Sequence, residues 1–306
     1  MRKAIAALLI ISFLNSDLLA AAAGTTLFNF LKIPLNASQA ATAGINALNI
    51  HSAGSNPAMI PFFDRTSLSA SYAAYFQDTS FHSLSLTIPF KGDYHGVNIA
   101  YGGFDYGKMD AYLEDSAGDY VANGTFGASD AFFGASYGRR ITNAIYAGAG
   151  VKYVRQKIDD SDISGTVLSA AAMYMSDETW YMSAGADNIG SAVDGYQMPS
   201  SFYISIADSP QELNSMFMYG VELRAFFDET VWLKGACEFN YEKKLFARLG
   251  YSCPLINNNS SLSESWYGRN LSAGFGIEYG FFSIDYAWLP FGDLGNTNMV
   301  SLQITF

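Results

Sequence analysis

The chain has 306 residues, 50% of them hydrophobic and 15% aromatic, with a formal charge of -11. Those totals exclude a disordered acidic tail and leave room for one large domain or two small ones. Lys and Arg stand singly or in pairs, with no longer cluster, in an acidic chain, which argues against a nucleic-acid partner, because binding phosphates needs them clustered.

Arg2 and Lys3 precede an apolar run from Ala4 to Leu14, and small residues follow at Ala20, Ala22 and Ala23. This is the order of an export signal, expected over 1–23 and too short to span a bilayer as a helix. No Cys stands near the expected cleavage site, so no acylated N-terminus is expected. Residues 24–66 follow without alternation. NASQAATAGINALN tolerates a helix, whereas GSNPAMIP is turn chemistry in which Pro57 and Pro61 exclude a ladder strand. LFNFLKIPL in the same stretch is too apolar for a solvated extension.

From Ser67 onward one pattern repeats: an alternating run of about ten residues, then Gly, Asn, Asp or Ser. Leu84, Leu86, Ile88 and Phe90 share one face against Ser83, Ser85 and Thr87, and Phe282, Ile284, Tyr286 and Trp288 oppose Ser283, Asp285 and Ala287. The pattern predicts fourteen strands, near 67–76, 80–90, 94–104, 129–138, 143–155, 163–175, 178–188, 200–207, 216–226, 230–239, 243–251, 269–279, 281–288 and 297–306. The stretches 113–119 and 157–162 read as solvated loops.

A periplasmic sandwich would alternate too. Here the charged residues fall on the polar face of the runs: Lys152, Glu222, Arg224, Lys234, Glu238, Arg248, Glu278 and Asp285. The opposite faces stay apolar, and aromatic residues recur near strand ends, as in an outer-membrane barrel with a polar lumen. The expected fold is therefore an all-β transmembrane antiparallel barrel of about 14 strands over 67–306, in contact with membrane lipid. Its closure pairs every backbone group inside lipid. Residues 24–66 are expected to fill the lumen as a plug, or hatch, because a barrel of that girth otherwise leaves a channel. The eight charged residues then form a lumen polar network.

The sequence ends VSLQITF, with Val300, Leu302, Ile304 and Phe306 alternating against Ser301, Gln303 and Thr305. This reads as the strand that closes the barrel. Its terminal Phe306 resembles the signal read by the outer-membrane assembly machinery of Gram-negative bacteria, the expected location. No catalytic or metal site is expected, and no cofactor. GASYG, Gly134 to Gly138, fits a nucleophile-elbow formula around Ser136, yet it lies in a strand-like run rather than a strand-turn-helix. His51, His82 and His95 have no partner at metal-ligand spacing. Cys237 is expected opposite a residue near Leu245, far from Cys253, so no disulfide is expected.

TLFNFLKIPLNASQAATAGINAL followed by Asn56-Pro57-Ala58, ARLGYS at 247–252, and DYAWLPFGDLG within the closing stretch 271–306 together resemble the PorV/PorQ group, which includes the spirochaetal UPF0164 proteins, among the FadL-like outer-membrane barrels. The resemblance implies one of two functions. FadL-like proteins carry long-chain fatty acids or other hydrophobic small molecules passively, the hatch shifting to release them. PorV-like proteins serve a protein-secretion system, the type IX pathway, as shuttles or anchors for secreted cargo protein. On the first reading Phe28, Phe30, Leu31, Ile33 and Leu35 contact or gate the ligand, and Asn56, Pro57 and Ala58 fix the plug's exit turn. On the second, loops around 105–128 and 252–268 bind cargo.

Overall fold

The computed structural model describes residues 26–48, 52–90, 92, 94–114, 118–176, 179–209, 216–255 and 270–306. The expected signal segment and most of the expected cargo loop at 252–268 lie outside the described residues, as does His51. Fourteen antiparallel strands close into one barrel in sequence order. They are β1 Ser67–Ala74, β2 Ser80–Phe90, β3 His95–Glu114, β4 Tyr120–Arg140, β5 Ile145–Ile158, β6 Ser161–Met175 and β7 Trp180–Ile189. The ring continues with β8 Ser201–Asp208, β9 Phe217–Phe226, β10 Val231–Tyr241, β11 Leu245–Pro254, β12 Leu271–Tyr279, β13 Phe282–Pro290 and β14 Asn296–Thr305.

Closure is made by β14, whose Thr305 to Asn298 pair with Ser67 to Ala74 of β1. Period-two geometry sends successive side chains to opposite faces. Val300 and Leu302 are exposed on the outer wall, whereas Met299 and Ser301 are buried inside. The seam carries a side-chain bond as well, Ser71 Oγ to Ser301 Oγ at 2.8 Å. Exposed aromatic residues such as Tyr72, Tyr101, Phe133, Tyr153 and Phe275 cover the outer wall. β1 begins and β14 ends at the same rim, here the terminal rim; the connections 75–79, 190–200 and 227–230 lie at the far rim.

Two sequence expectations need correction. β3 and β4 run to 20 and 21 residues, so the described part of 105–128 is mostly strand rather than loop; residues 113–114 belong to β3, and within 157–162 only Asp159 and Asp160 lie outside strands. β2 stops pairing with β3 at Asp105, and β5 stops pairing with β4 at Ala128. Beyond those points β3 and β4 pair only with each other, as a ribbon projecting about 30 Å from the far rim at ~3.3 Å per residue. Neither face of the ribbon is buried in the barrel, so its sequence has no reason to alternate. The second correction is register: Cys237 lies opposite Leu249, and Cys253 opposite Leu233.

Candidate functional site

Residues 26–48 and 52–66 lie in the lumen, beginning at the far rim and ending at the terminal rim. Leu27 donates its N–H to the carbonyl of Gln197 in the 190–200 connection, at 3.0 Å. A 3-10 turn, Asn29–Lys32, follows, entered through Phe28 in the left-handed region at φ 58°. Phe28 and Phe30 are buried in the main apolar cluster with Phe81, Phe132 and Met299 of the wall, and Leu31, Ile33 and Leu35 pack against it. Lys32 is fastened to the far rim by Asp228 at 2.6 Å and Glu229 at 2.5 Å, with its ammonium over the Phe226 ring.

Helix α1, Ala37–Ala41, is five residues long and starts at Asn36, whose side chain accepts the Gln39 N–H. Its alanines let it lie directly on the wall. A Cβ on Gly274 would come within 2.6 Å of the Ala41 methyl, and one on Gly250 within 2.6 Å of the Ala43 nitrogen. Ala37 donates its N–H to Ser301 Oγ of the closing strand. The chain then crosses to the opposite wall, where Asn46 donates both its backbone N–H and its amide to Glu222 Oε2, at 2.8 and 3.1 Å.

Asn56, Pro57 and Ala58 open the last turn of the segment, the 3-10 stretch Pro57–Phe62. Asn56 caps it by accepting the Ala58 N–H and donates to Ser183 Oγ of β7. Proline at its first position is already set near the required φ and lacks an N–H that would have gone unpaired. The turn sits where β4 and β5 carry Gly138 and Gly148; a Cβ there would meet the Pro57 carbonyl at 2.1 and 2.5 Å.

The eight charged residues divide into two groups. On the far-rim side of α1, Arg224 bonds Glu222 and Asp187, each at 2.9 Å, and lies over the Tyr203 ring. Lys234 stands 3.8 Å from Glu222, and Lys152 donates to the Asn188 amide oxygen at 3.3 Å. Glu222 is fully buried, and its oxygens already serve Asn46 and Arg224, so Lys152 and Lys234 are the least satisfied groups of this cluster. With Phe30, Leu31, Ile33, Leu35 and Phe132 they line a cavity of about 90 Å³. Phe28 lies outside that lining, deeper in the apolar cluster.

Towards the terminal rim, Arg248 bridges Glu238 on its neighbour β10 and Asp285 on β13. β12 lies between β11 and β13, and the bridge clears it at Gly276, where a Cβ would come within 2.3 Å of Asp285. Glu278 makes no ion pair among the described residues but lines the same cavity, of about 590 Å³, with Glu238, Arg248 and Asp285.

Sequence reasoning missed Asp187, Asn188, Lys32 and Asp228. Asp187 and Asn188 are consecutive yet both buried, because the β6–β7 register shifts between Leu168 and Ala170, with Asn188 at φ 55°. A bulge of this kind breaks the alternation on which the sequence reading rests. Lys32 sits within an apolar stretch that gives no hint of its partners 196 residues away. His82 and His95 are on the outer wall, and Ser136 pairs within β4 between Asn98 and Gly150.

No family model and no curated protein matches the sequence. Solved structures do. The Pseudomonas putida toluene transporter TodX aligns with a TM-score of 0.61 at 12% identity, over 89% of this chain and 98% of that one. The CymD monoaromatic hydrocarbon channel aligns at 0.60 and 11%, over 90% and 98%. A Pseudomonas aeruginosa FadL homologue aligns at 0.52 and 11%, over 89% and 98%. The chain therefore has the fold of the FadL-type outer-membrane channels, at identities that carry the architecture alone.

Proposed function

We propose that the protein is an outer-membrane barrel that passes hydrophobic small molecules passively, and that its ligand is an amphipath with an acidic head, as a long-chain fatty acid is. The observation that carries this reading is the far-side cavity. One wall is the apolar N-terminal segment, and the other presents Lys152 and Lys234 without a full complement of acceptors. An ammonium held away from water is stabilised by an anion that hydrogen-bonds to it. The hydrocarbon channels of the same fold support the apolar half of the argument.

The cavity, at about 90 Å³, is smaller than the roughly 300–1,000 Å³ of a ligand pocket. On this reading Phe28, Phe30 and their neighbours occupy the place of the ligand's tail, and entry requires that they move. The test is binding of a fluorescent long-chain fatty acid to the detergent-solubilised barrel. Lys152→Gln with Lys234→Gln should weaken it about tenfold, while the corresponding alcohol should bind both forms alike. Phe28→Ala with Phe30→Ala should change retention without unfolding the barrel. Equal affinity for acid and alcohol in the unsubstituted protein contradicts the acidic head.

The second reading, collection of secreted cargo as by PorV-like proteins, draws on the projecting β3–β4 ribbon. Tyr112, Leu113, Tyr120 and Val121 are exposed there, and no neighbouring strand pairs with either edge. Free edges of this kind are sites for strand addition. Trimming the ribbon to a short turn should abolish cargo capture on this reading and leave fatty-acid binding intact.

A further inference from the structure

The outer wall of a membrane barrel is apolar between its two rims, and an unpaired charge facing lipid is tolerated only near an interface. Arg139 is such a charge. It is the penultimate residue of β4, exposed on the outward face, and pairs across the sheet with His95 of β3 and Ala147 of β5. No hydrogen bond or ion pair engages its guanidinium among the described residues. Arg155, also exposed on the outer wall but at the far rim, is by contrast bound to Asp162.

The surroundings of Arg139 are polar and aromatic at once. The Tyr137 hydroxyl lies 3.2 Å from His95 Nδ1, and the His95 ring packs on Phe90 with centroids 5.0 Å apart. Arg140 stacks over Tyr94 at 3.7 Å. Phe90, Tyr94 and His95 extend into a cavity of about 320 Å³ at this rim, which Asp64 also lines. Asp64 is exposed and has no ion pair among the described residues. The rim thus offers an unpaired guanidinium, aromatic faces, and an unpaired carboxylate beside a concavity.

We infer that this rim binds the head of a zwitterionic phospholipid bearing a primary amine, phosphatidylethanolamine by class. Arg139 takes the phosphodiester through paired N–H donors, and the ammonium lies in the cavity against Asp64 and the Phe90 face, since Arg140 already covers Tyr94. The acyl chains run up the apolar wall. This rests on the membrane placement proposed above but not on the lumen ligand. A phosphatidylglycerol head supplies the phosphate and lacks the ammonium; a diacylglycerol lacks both.

Native mass spectrometry of the barrel, released from micelles holding equal amounts of these three lipids, tests the inference. One retained phosphatidylethanolamine per barrel is expected, in preference to the other two. Arg139→Gln should lower its occupancy about tenfold. Asp64→Asn should remove the preference over phosphatidylglycerol, and Lys157→Gln at the far rim should change nothing. Heat-modifiable electrophoretic mobility confirms that each variant is folded. Diacylglycerol retained as well as phosphatidylethanolamine, or the two phospholipids retained equally by the unsubstituted protein, overturns the proposal without recourse to any variant. Undiminished retention by folded Arg139→Gln overturns it as well. A lumen that fails to bind fatty acid leaves these outcomes unaffected, so the two readings fail separately.

Discussion

Glu222 shows what one residue does in this lumen. Its carboxylate accepts two bonds from Asn46 and one from Arg224, and it stands within 3.8 Å of Lys234, with no exposure to solvent. Removing one member of a buried ionic group leaves the others charged and unpaired, at roughly 3–5 kcal/mol. Glu222→Ala should therefore lower the barrel's unfolding temperature in detergent and loosen residues 43–48, read by hydrogen exchange. Glu222→Gln, which keeps the shape and part of the bonding, should be milder. At this scale much was legible: period two placed Glu222, Arg224, Lys234 and Arg248 on the polar face, and all four point inward. Asp187 was not legible as Arg224's partner, because it lies at a bulge. No local sequence rule announces which residue pair will slip register.

Elements explain how the N-terminal segment is held. α1 and the turn Pro57–Phe62 are too short to be stable alone, since isolated helices under ~12 residues are marginal in water. Their order comes from the wall, through close contacts that only glycine permits at Gly138, Gly148 and Gly274. Gly138→Ala with Gly148→Ala should push the turn off β4 and β5. Added protease should then cut within 24–66 faster than in the unsubstituted protein, with the barrel still heat-modifiable; unchanged cleavage would show that the turn is not seated there. Lys32→Met should act at the other end. It leaves Asp228, buried and with one oxygen already unpartnered, without its cation, so the first residues should exchange amide hydrogens faster. The sequence pointed to a non-alternating, apolar segment with Pro57 as a turn residue. It did not reveal the path across the lumen, because the partners of Asn46 and Lys32 lie more than 150 residues away. The β3–β4 ribbon escaped for a different reason: with both faces solvated, its residues are under no pressure to alternate.

For the molecule as a whole, the fourteen runs were readable because a barrel wall has a uniform demand on every strand: one face for lipid, one for the lumen. The closing strand was readable from Val300 to Phe306 for the same cause. Ligand chemistry imposes no such repeated demand. It resides in a few side chains brought together from β5, β7, β9, β10 and the N-terminal segment, and the shared fold with hydrocarbon channels at 11–12% identity does not supply it. The lumen is divided into an apolar, lysine-bearing far side, where the acid would bind, and a polar chamber beside Glu238, Arg248 and Asp285. The most direct test is mass spectrometry of the small molecules and proteins that co-purify with the folded barrel, extracted in mild detergent from its own membrane. A stoichiometric long-chain acid is expected, lost in the Lys152→Gln, Lys234→Gln protein. An empty barrel accompanied by secreted proteins that share one sorting domain would contradict it and favour the cargo reading.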